Sequence, residues 1–400
     1  MERPIATFRR AGAGTAVALA IFAWAAPLGA QQQPDSAAKT GTDTTGPTAR
    51  AAPKLDLSGV MFANYQYRTN RDASRGANKF DLERVYLTLR MPAGERASVR
   101  ITTDVFQQQQ SDNDSYYRGW TVRAKYAYLQ YDYLKRGTVR AAARFGLVHN
   151  VFIEHDETYW PRWISTVATD RHGYFSSADA GLASAITLPR KLGEIYAAVT
   201  NGPGYTSREI DRFKDYGARL TLTPFASRTD GLLGSLALTA WSYQGATGSR
   251  FAGGGAGQLG PVGSSLQRDR WGVFAAVTNP ALTIAAQYTA RTDEGETGSN
   301  TAAEPRAVVG STGHLVSAYA IVRPFASLAG AARSVSLVGR VDRVTTNRAL
   351  SEGHTLVIGG VAIDLTKAAS FSLDYQEQLP RAGGPAAPGK AAFLHLIARF

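Results

Sequence analysis

Cysteine is absent from this 400-residue chain, which excludes a disulfide framework and any thiolate metal site. Beyond the first thirty residues no run approaches the ~20 consecutive apolar residues that a membrane helix needs. A membrane-embedded form of this chain would therefore have to be built of strands. Histidine is scarce: of the six, His149, His155 and His172 lie near one another, while His314, His354 and His395 are scattered. What is plentiful is Gly (40), Tyr (18) and Phe (16), with many Thr, Ser and Val. That composition suits many strands joined by tight turns.

Residues 1–30 read as a secretory signal. Arg3, Arg9 and Arg10 precede a mostly apolar core over 11–26, and Leu28, Gly29 and Ala30 form a small-residue cleavage site, with cutting expected after Ala30. Residues 31–54 are polar, contain Pro and Thr, lack heptad spacing and predict a disordered periplasmic linker. The formal net charge is +12. Three Arg and one Glu lie in residues 1–30, so the exported part carries about +10, a balance that attracts anions. Export makes lipopolysaccharide phosphates and small solutes the expected partners, and nucleic acid an unexpected one.

From residue 55 onward the pattern has a period of two. Val85, Leu87, Leu89 and Met91 alternate with Arg84, Tyr86, Thr88 and Arg90, and similar alternation recurs through Trp271 to Val277 and Phe371 to Gln376. Sixteen such segments can be marked between 55–69 and 390–400. Short connections (92–95, 134–137, 189–191, 279–280) alternate with long ones (108–118, 201–213, 246–267, 293–311). A soluble sandwich or β-helix has no reason to keep that rhythm. An outer-membrane barrel does, with short periplasmic turns and long extracellular loops. The expected fold is an all-β, transmembrane antiparallel β-barrel of about 16 strands over 55–400, with both termini periplasmic. In the final segment Leu394, Leu396, Ala398 and Phe400 would face lipid, and the terminal Phe resembles the signal read by the barrel assembly machinery.

With the apolar register facing lipid, Arg84, Arg100, Arg144, Arg219 and Arg340 fall near mid-strand on the inward face, with Asp104, Asp342 and Asp374 as the inward acids. The lumen is thus predicted to be net basic and to interact with anions. Registers of the ninth and twelfth segments are ambiguous, and no lumen residue is assigned there. Residues 150–178 break the alternation. This 29-residue stretch carries six aromatics, Trp160 and Trp163 among them, and is predicted to fold into the barrel as a constriction. Its acids Glu154, Asp156, Glu157 and Asp170 outnumber Arg162 and Arg171, so an acidic strip beside the basic wall of Arg84, Arg100 and Arg144 would set up a transverse field.

Several segments carry a family resemblance. Ala127-Tyr128-Leu129-Gln130-Tyr131 followed by Arg144-Phe145-Gly146-Leu147, then Thr200-Asn201-Gly202-Pro203-Gly204, Asp215 to Thr221 and Gly339 to Val344, are similar to the phosphate-selective porin O and P family. The resemblance covers roughly 55–400. It implies a sixteen-stranded water-filled barrel, commonly a trimer, whose third extracellular loop is the constriction, and passive uptake of anionic solutes. The chain departs from the family where phosphate is selected. Residues 148–151 replace a Lys and Pro, and 150–178 contains no lysine, leaving Arg144 and Arg162 as rough equivalents of the basic constriction residues.

His149, Glu154, His155 and Asp156 have the chemistry of a divalent-metal site, but their spacing fits no helical ligand pattern, and they read as polar groups anchoring a loop. The Gly253-Gly254-Gly255 run lacks the Lys-Ser/Thr and helix of a phosphate cradle. No catalytic residue, metal or cofactor is expected. The functional expectation is an outer-membrane porin for small hydrophilic solutes with modest anion, including phosphate, preference. A non-conducting receptor or adhesin barrel is the first alternative, and a surface hydrolase the second.

Overall fold

The computed structural model describes residues 55–400 except 108–118, 210, 229–230, 249–264, 300, 306, 329 and 382–388. The signal and linker expected at 1–30 and 31–54, the connection 108–118 and the Gly253 to Gly255 run lie outside the described residues.

Sixteen antiparallel strands close into one barrel, each paired with its sequence neighbours and the first with the last. The first eight are β1 (Asp56–Arg68), β2 (Asn78–Pro92), β3 (Ala97–Gln107), β4 (Trp120–Arg136), β5 (Val139–His149), β6 (Ala178–Thr187), β7 (Gly193–Thr200) and β8 (Asp215–Leu222). The remainder are β9 (Ala237–Gly248), β10 (Ser265–Thr278), β11 (Leu282–Thr297), β12 (Ala307–Val322), β13 (Val335–Asn347), β14 (Glu352–Asp364), β15 (Ala369–Pro380) and β16 (Lys390–Arg399). Closure leaves no edge strand with unpaired backbone groups. The last residue takes part in it: Phe400 and Gly59 exchange backbone hydrogen bonds of 2.6 and 3.0 Å. A side chain at Gly59 would collide with the Phe400 ring.

The alternation read from the sequence sorts side chains as expected. Leu87, Ile101, Leu129, Leu220, Val273, Ile284, Val341, Leu373 and Leu396 are exposed on the outer surface, while Asp104, Arg219, Arg340, Asp342 and Asp374 are buried inside. One expectation needs correcting, and two registers left open are resolved. The connection 293–311 is largely strand, because β11 and β12 stay paired from Leu282 with Val322 out to Thr297 with Ala307. The outer residues of β11, Asp293 to Thr297, are polar or Gly, whereas Val308 and Val309 of β12 are apolar and exposed, so this outer hairpin is held by its backbone pairing. The ambiguous ninth and twelfth segments are regular strands, with Thr239, Trp241 and Tyr243 of β9 and Leu315, Ser317 and Tyr319 of β12 turned inward and buried. They look apolar on both faces because a loop packs on their inner side.

Four bulges break the ladders. The one in β4 matters most here. Thr102 pairs with Tyr126 and Thr103 with Ala124, leaving Lys125 as the extra residue. A bulge lets two successive side chains point the same way, and Lys125 and Tyr126 are both buried on the inner face.

Candidate functional site

Residues 150–178 leave β5 and return to β6, and they fold into the barrel. The two ends are tied together where Asn150 donates its backbone N–H to the Ser177 carbonyl (3.0 Å). Two single-turn helices lie within the loop, α1 (Ile153–Asp156) and α2 (Ala168–Arg171). Its apolar side packs on the inner wall: Phe152 stacks on Trp241 with centroids 5.3 Å apart, and Trp160 meets Tyr319 at 5.1 Å. Phe175 wedges against both Trp241 and Tyr243 at 5.1 Å. Aromatic residues bury large areas and fix geometry, so they serve a 29-residue segment that has little regular structure of its own.

Wall side chains then satisfy the loop's backbone. Arg219 donates to the Val151 carbonyl (2.9 Å) and Arg340 to that of Thr166 (2.7 Å). Gln376 donates to the Ile164 carbonyl (3.1 Å) and Arg270 to that of Tyr174 (3.2 Å). Buried carbonyls need such partners. The anchors come from β8, β10, β13 and β15, so the loop leans on that side of the barrel. The wall formed by β16, β1, β2, β3 and β4 is left facing open space.

Two cavities occupy that space. The outer one, about 850 Å³, is lined by Lys79, Asp81, Glu83, Arg84, Arg162 and Arg171 among others. The inner one, about 370 Å³, is lined by Phe62, Tyr86, Arg100, Lys125, Tyr126, Glu154, Glu157, Trp160, Arg162, Trp163 and Arg399. Phe62 and Arg162 line both. Each cavity has four Lys or Arg side chains against two carboxylates.

The expected wall arginines divide into two groups. Arg84 lines the outer cavity and pairs with Asp104 at 2.7 Å. Arg100 lines the inner cavity, 3.6 Å from Glu154 and 3.1 Å from His149 Nε2. Arg144 lines neither cavity; it lies 3.1 Å from His149 Nδ1 and donates to Gln130. Arg219 and Arg340 are buried beneath the loop, paired with Glu194 and Asp342, and hold backbone rather than face solvent. The three nearest-neighbour arginines therefore do not form a bare basic wall.

The expected acidic strip is also dispersed. Arg162 pairs with both Glu157 and Asp170, the latter at 3.1 Å. Asp156 points to the opposite wall, where Tyr319 (2.7 Å) and Gln287 (3.0 Å) donate to its two oxygens. Burial pushes its carboxyl up to about 6, against the pull of those hydrogen bonds and of Arg340. Glu154 alone of the four faces Arg100. Desolvation would raise its carboxyl, but the hydrogen bond from His149 and the fields of Arg100 and Arg144 outweigh it and hold it at about 2. Arg171 donates to Ser165 Oγ (2.9 Å) and reaches the outer cavity.

The four residues with metal-ligand chemistry are separated. His149 meets Glu154 at 2.8 Å, but His155 turns to Thr239 (2.9 Å) and Asp156 to Tyr319. Burial, with Arg219 nearby, lowers His155 to about 3, so it is neutral near pH 7.

Strand reading singled out neither Arg399 nor Lys125 among the basic side chains of the inner cavity, and Lys125 is the one that a bulge turns inward. Its Nζ lies 4.3 Å from the Tyr86 ring centroid and 5.3 Å from that of Tyr126, within cation–π range. The signal available was a lysine amid Tyr126, Tyr128 and Tyr131, but its neighbourhood depends on the bulge.

No protein-family profile matches the chain, and no curated protein matches it. Solved structures do. The outer membrane channel DcaP of Acinetobacter baumannii is similar at 12% identity and a TM-score of 0.58, over 89% of this chain and 99% of that one. An anion-selective porin from Comamonas acidovorans is similar at 11% identity and 0.53, over 87% and 100%. OmpT, an outer membrane protein of Vibrio cholerae described in a trimer form, is similar at 13% and 0.52, over 87% and 99%. At these identities the likeness is one of fold, and it places the chain among closed antiparallel β-barrels.

Proposed function

We propose that this chain is an outer-membrane channel through which small hydrophilic solutes diffuse passively, with a modest preference for anions. The observation that carries the reading is the pair of cavities that share Phe62 and Arg162, each lined by more cations than carboxylates. A passage lined with one excess sign raises the local concentration of the opposite ion. The exposed apolar belt supports a lipid surroundings for the wall, since an aliphatic face of this extent on a closed barrel finds its match in hydrocarbon. The fold likeness to an outer membrane channel and an anion-selective porin agrees with it.

The anion preference is modest because most inward cations already have carboxylate partners. Phosphate is one of the anions admitted rather than a dedicated solute, given that the loop contains no lysine. Export through cleavage after Ala30, insertion by the barrel assembly machinery at the Phe400 end, and assembly as a homotrimer complete the proposal. The trimer form of the similar OmpT supports the last of these.

The test is planar-bilayer recording of the mature protein. Stepwise conductance, with a reversal potential in a KCl gradient of the sign for anions, is expected. A barrel that inserts but does not conduct would favour a receptor or adhesin and overturn the channel.

A further inference from the structure

A third cavity, about 320 Å³, opens on the outer surface and is lined by His314, Val316, Arg343, Thr345, Arg348, Ser351 and Arg381. No acid lines it. Among the described residues none of the three arginines has a carboxylate partner, whereas the inward arginines discussed above mostly do. Their convergence is topological. Arg343 sits on β13 opposite Val316, and Arg348 follows β13 with its N–H on the Thr312 carbonyl (2.8 Å). Arg381 follows β15, bonding the Gly353 carbonyl (3.0 Å) through its N–H. Its guanidinium donates to Thr345 Oγ1 (3.1 Å), which lies 3.3 Å from His314 Nε2. His314 Nδ1 is buried with no partner.

Three like charges that line one cavity without a carboxylate among them draw an anion to it. What selects the anion is the surface beside it. Val316 lies in the same row as Arg343, and one step further along β13 and β14, away from the long connections, the outward residues are Val341 and Val357; all three valines are exposed. Free phosphate would use the guanidinium groups and leave that strip bare. An amphiphile would use both, its phosphates on the arginines and its acyl chains on the valines.

We infer that the groove at the outer ends of β12, β13 and β14 binds the phosphorylated headgroup of an outer-leaflet glycolipid. The inference rests on the proposed outer-membrane setting, with the long connections facing outward. It assigns Arg343, Arg348 and Arg381 to the lipid, not to the passage.

The test is binding of diphosphoryl lipid A to the detergent-solubilised mature protein, read by native mass spectrometry. Dephosphorylated lipid A and inorganic phosphate are the comparison probes. Binding of the diphosphoryl form, retained in the presence of excess phosphate and weakened by dephosphorylation, is expected. The triple variant Arg343→Gln, Arg348→Gln, Arg381→Gln should bind about 100-fold more weakly, about fivefold per arginine. Equal binding of both lipid forms, displacement by phosphate, or undiminished binding to the triple variant would overturn the inference. The lipid comparison needs no variant, so it stands if the triple variant does not fold. Conductance of the unaltered protein separates the two readings: a conducting barrel indifferent to lipid phosphates refutes the headgroup site and leaves the channel intact.

Discussion

Tyr319 donates its hydroxyl hydrogen to Asp156 Oδ1 at 2.7 Å, joining α1 of the inward loop to β12 on the far wall. Gln287 holds the other oxygen, and Gln287 Oε1 is itself buried without a partner. A proton on Asp156 can satisfy it once the amide turns. The docked carboxyl sits at about 6, above its ordinary 3.8. The docked loop therefore binds the proton more tightly than the undocked loop. Docking is at full strength below about pH 4 and weakens as pH rises through 6, by on the order of 3 kcal/mol in total.

Current fluctuations from loop movement should therefore become more frequent between pH 4 and pH 7 in bilayer recordings. Asp156→Asn keeps both hydrogen-bonding ends and cannot titrate, so its fluctuations should not change over that range. A wild-type trace that quietens as pH rises would contradict this account.

Arg340 is the second anchor. It is almost wholly buried, donates to both oxygens of Asp342 (2.8 and 2.6 Å), and also holds the Thr166 carbonyl. Arg340→Met leaves a buried carboxylate whose remaining partners are Ser317 and His172. Breaking a buried pair from one side costs about 3–5 kcal/mol. The unfolding midpoint in urea should fall markedly, and adding Asp342→Asn should recover part of the loss. If the single variant unfolds like the wild type, the arginine does not hold the loop.

These two anchors show where sequence reading stops. Strand number, inward and outward faces, and the departure of the loop after His149 were legible because a closed barrel sorts every strand by one period of two. Which inward residues meet the cavities and which meet the loop is a tertiary matter. Arg84 and Arg219 look alike in sequence, yet one lines a cavity and the other lies under Val151. Trp241 and Tyr319 blurred the registers of their strands because the loop gives the lumen face a core of its own. Lys125 was hidden by a bulge that no local pattern announces.

Selectivity should follow the lining just described. A unit charge ~4 Å from a passing ion is worth ~1 kcal/mol in water, about fivefold in a permeability ratio. Lys125→Gln removes one of four cations from the inner cavity and should lower the anion-to-cation ratio by up to that factor. Arg162→Gln should lower it further, because Glu157 and Asp170 lose their shared partner. Arg219→Gln, with its charge beneath the loop, should leave the reversal potential near the wild-type value. If Arg219→Gln shifts it as much as Lys125→Gln, ions do not pass where the cavities lie.

Gly146 tests the entry to the inward loop. It sits three residues before the end of β5 with φ of +130°, and a Cβ there would lie 2.1 Å from the Ala127 carbonyl oxygen of β4. Both the backbone conformation and the close approach require glycine. Gly146→Ala must either break the pairing of Gly146 with Tyr128 or move β5 outward. Either shift displaces His149, and with it the contacts of Arg100, Arg144 and Glu154. The strain of an L side chain at such a φ is about 1–3 kcal/mol before the clash is counted. The variant should fold in lower yield and give channels of altered conductance, whereas Gly94→Ala, also at positive φ but with nothing within 4 Å of its Cβ, should cost stability without changing conductance. Equal conductance in both variants would show that the loop is placed by its wall anchors and not by the strand that leads into it.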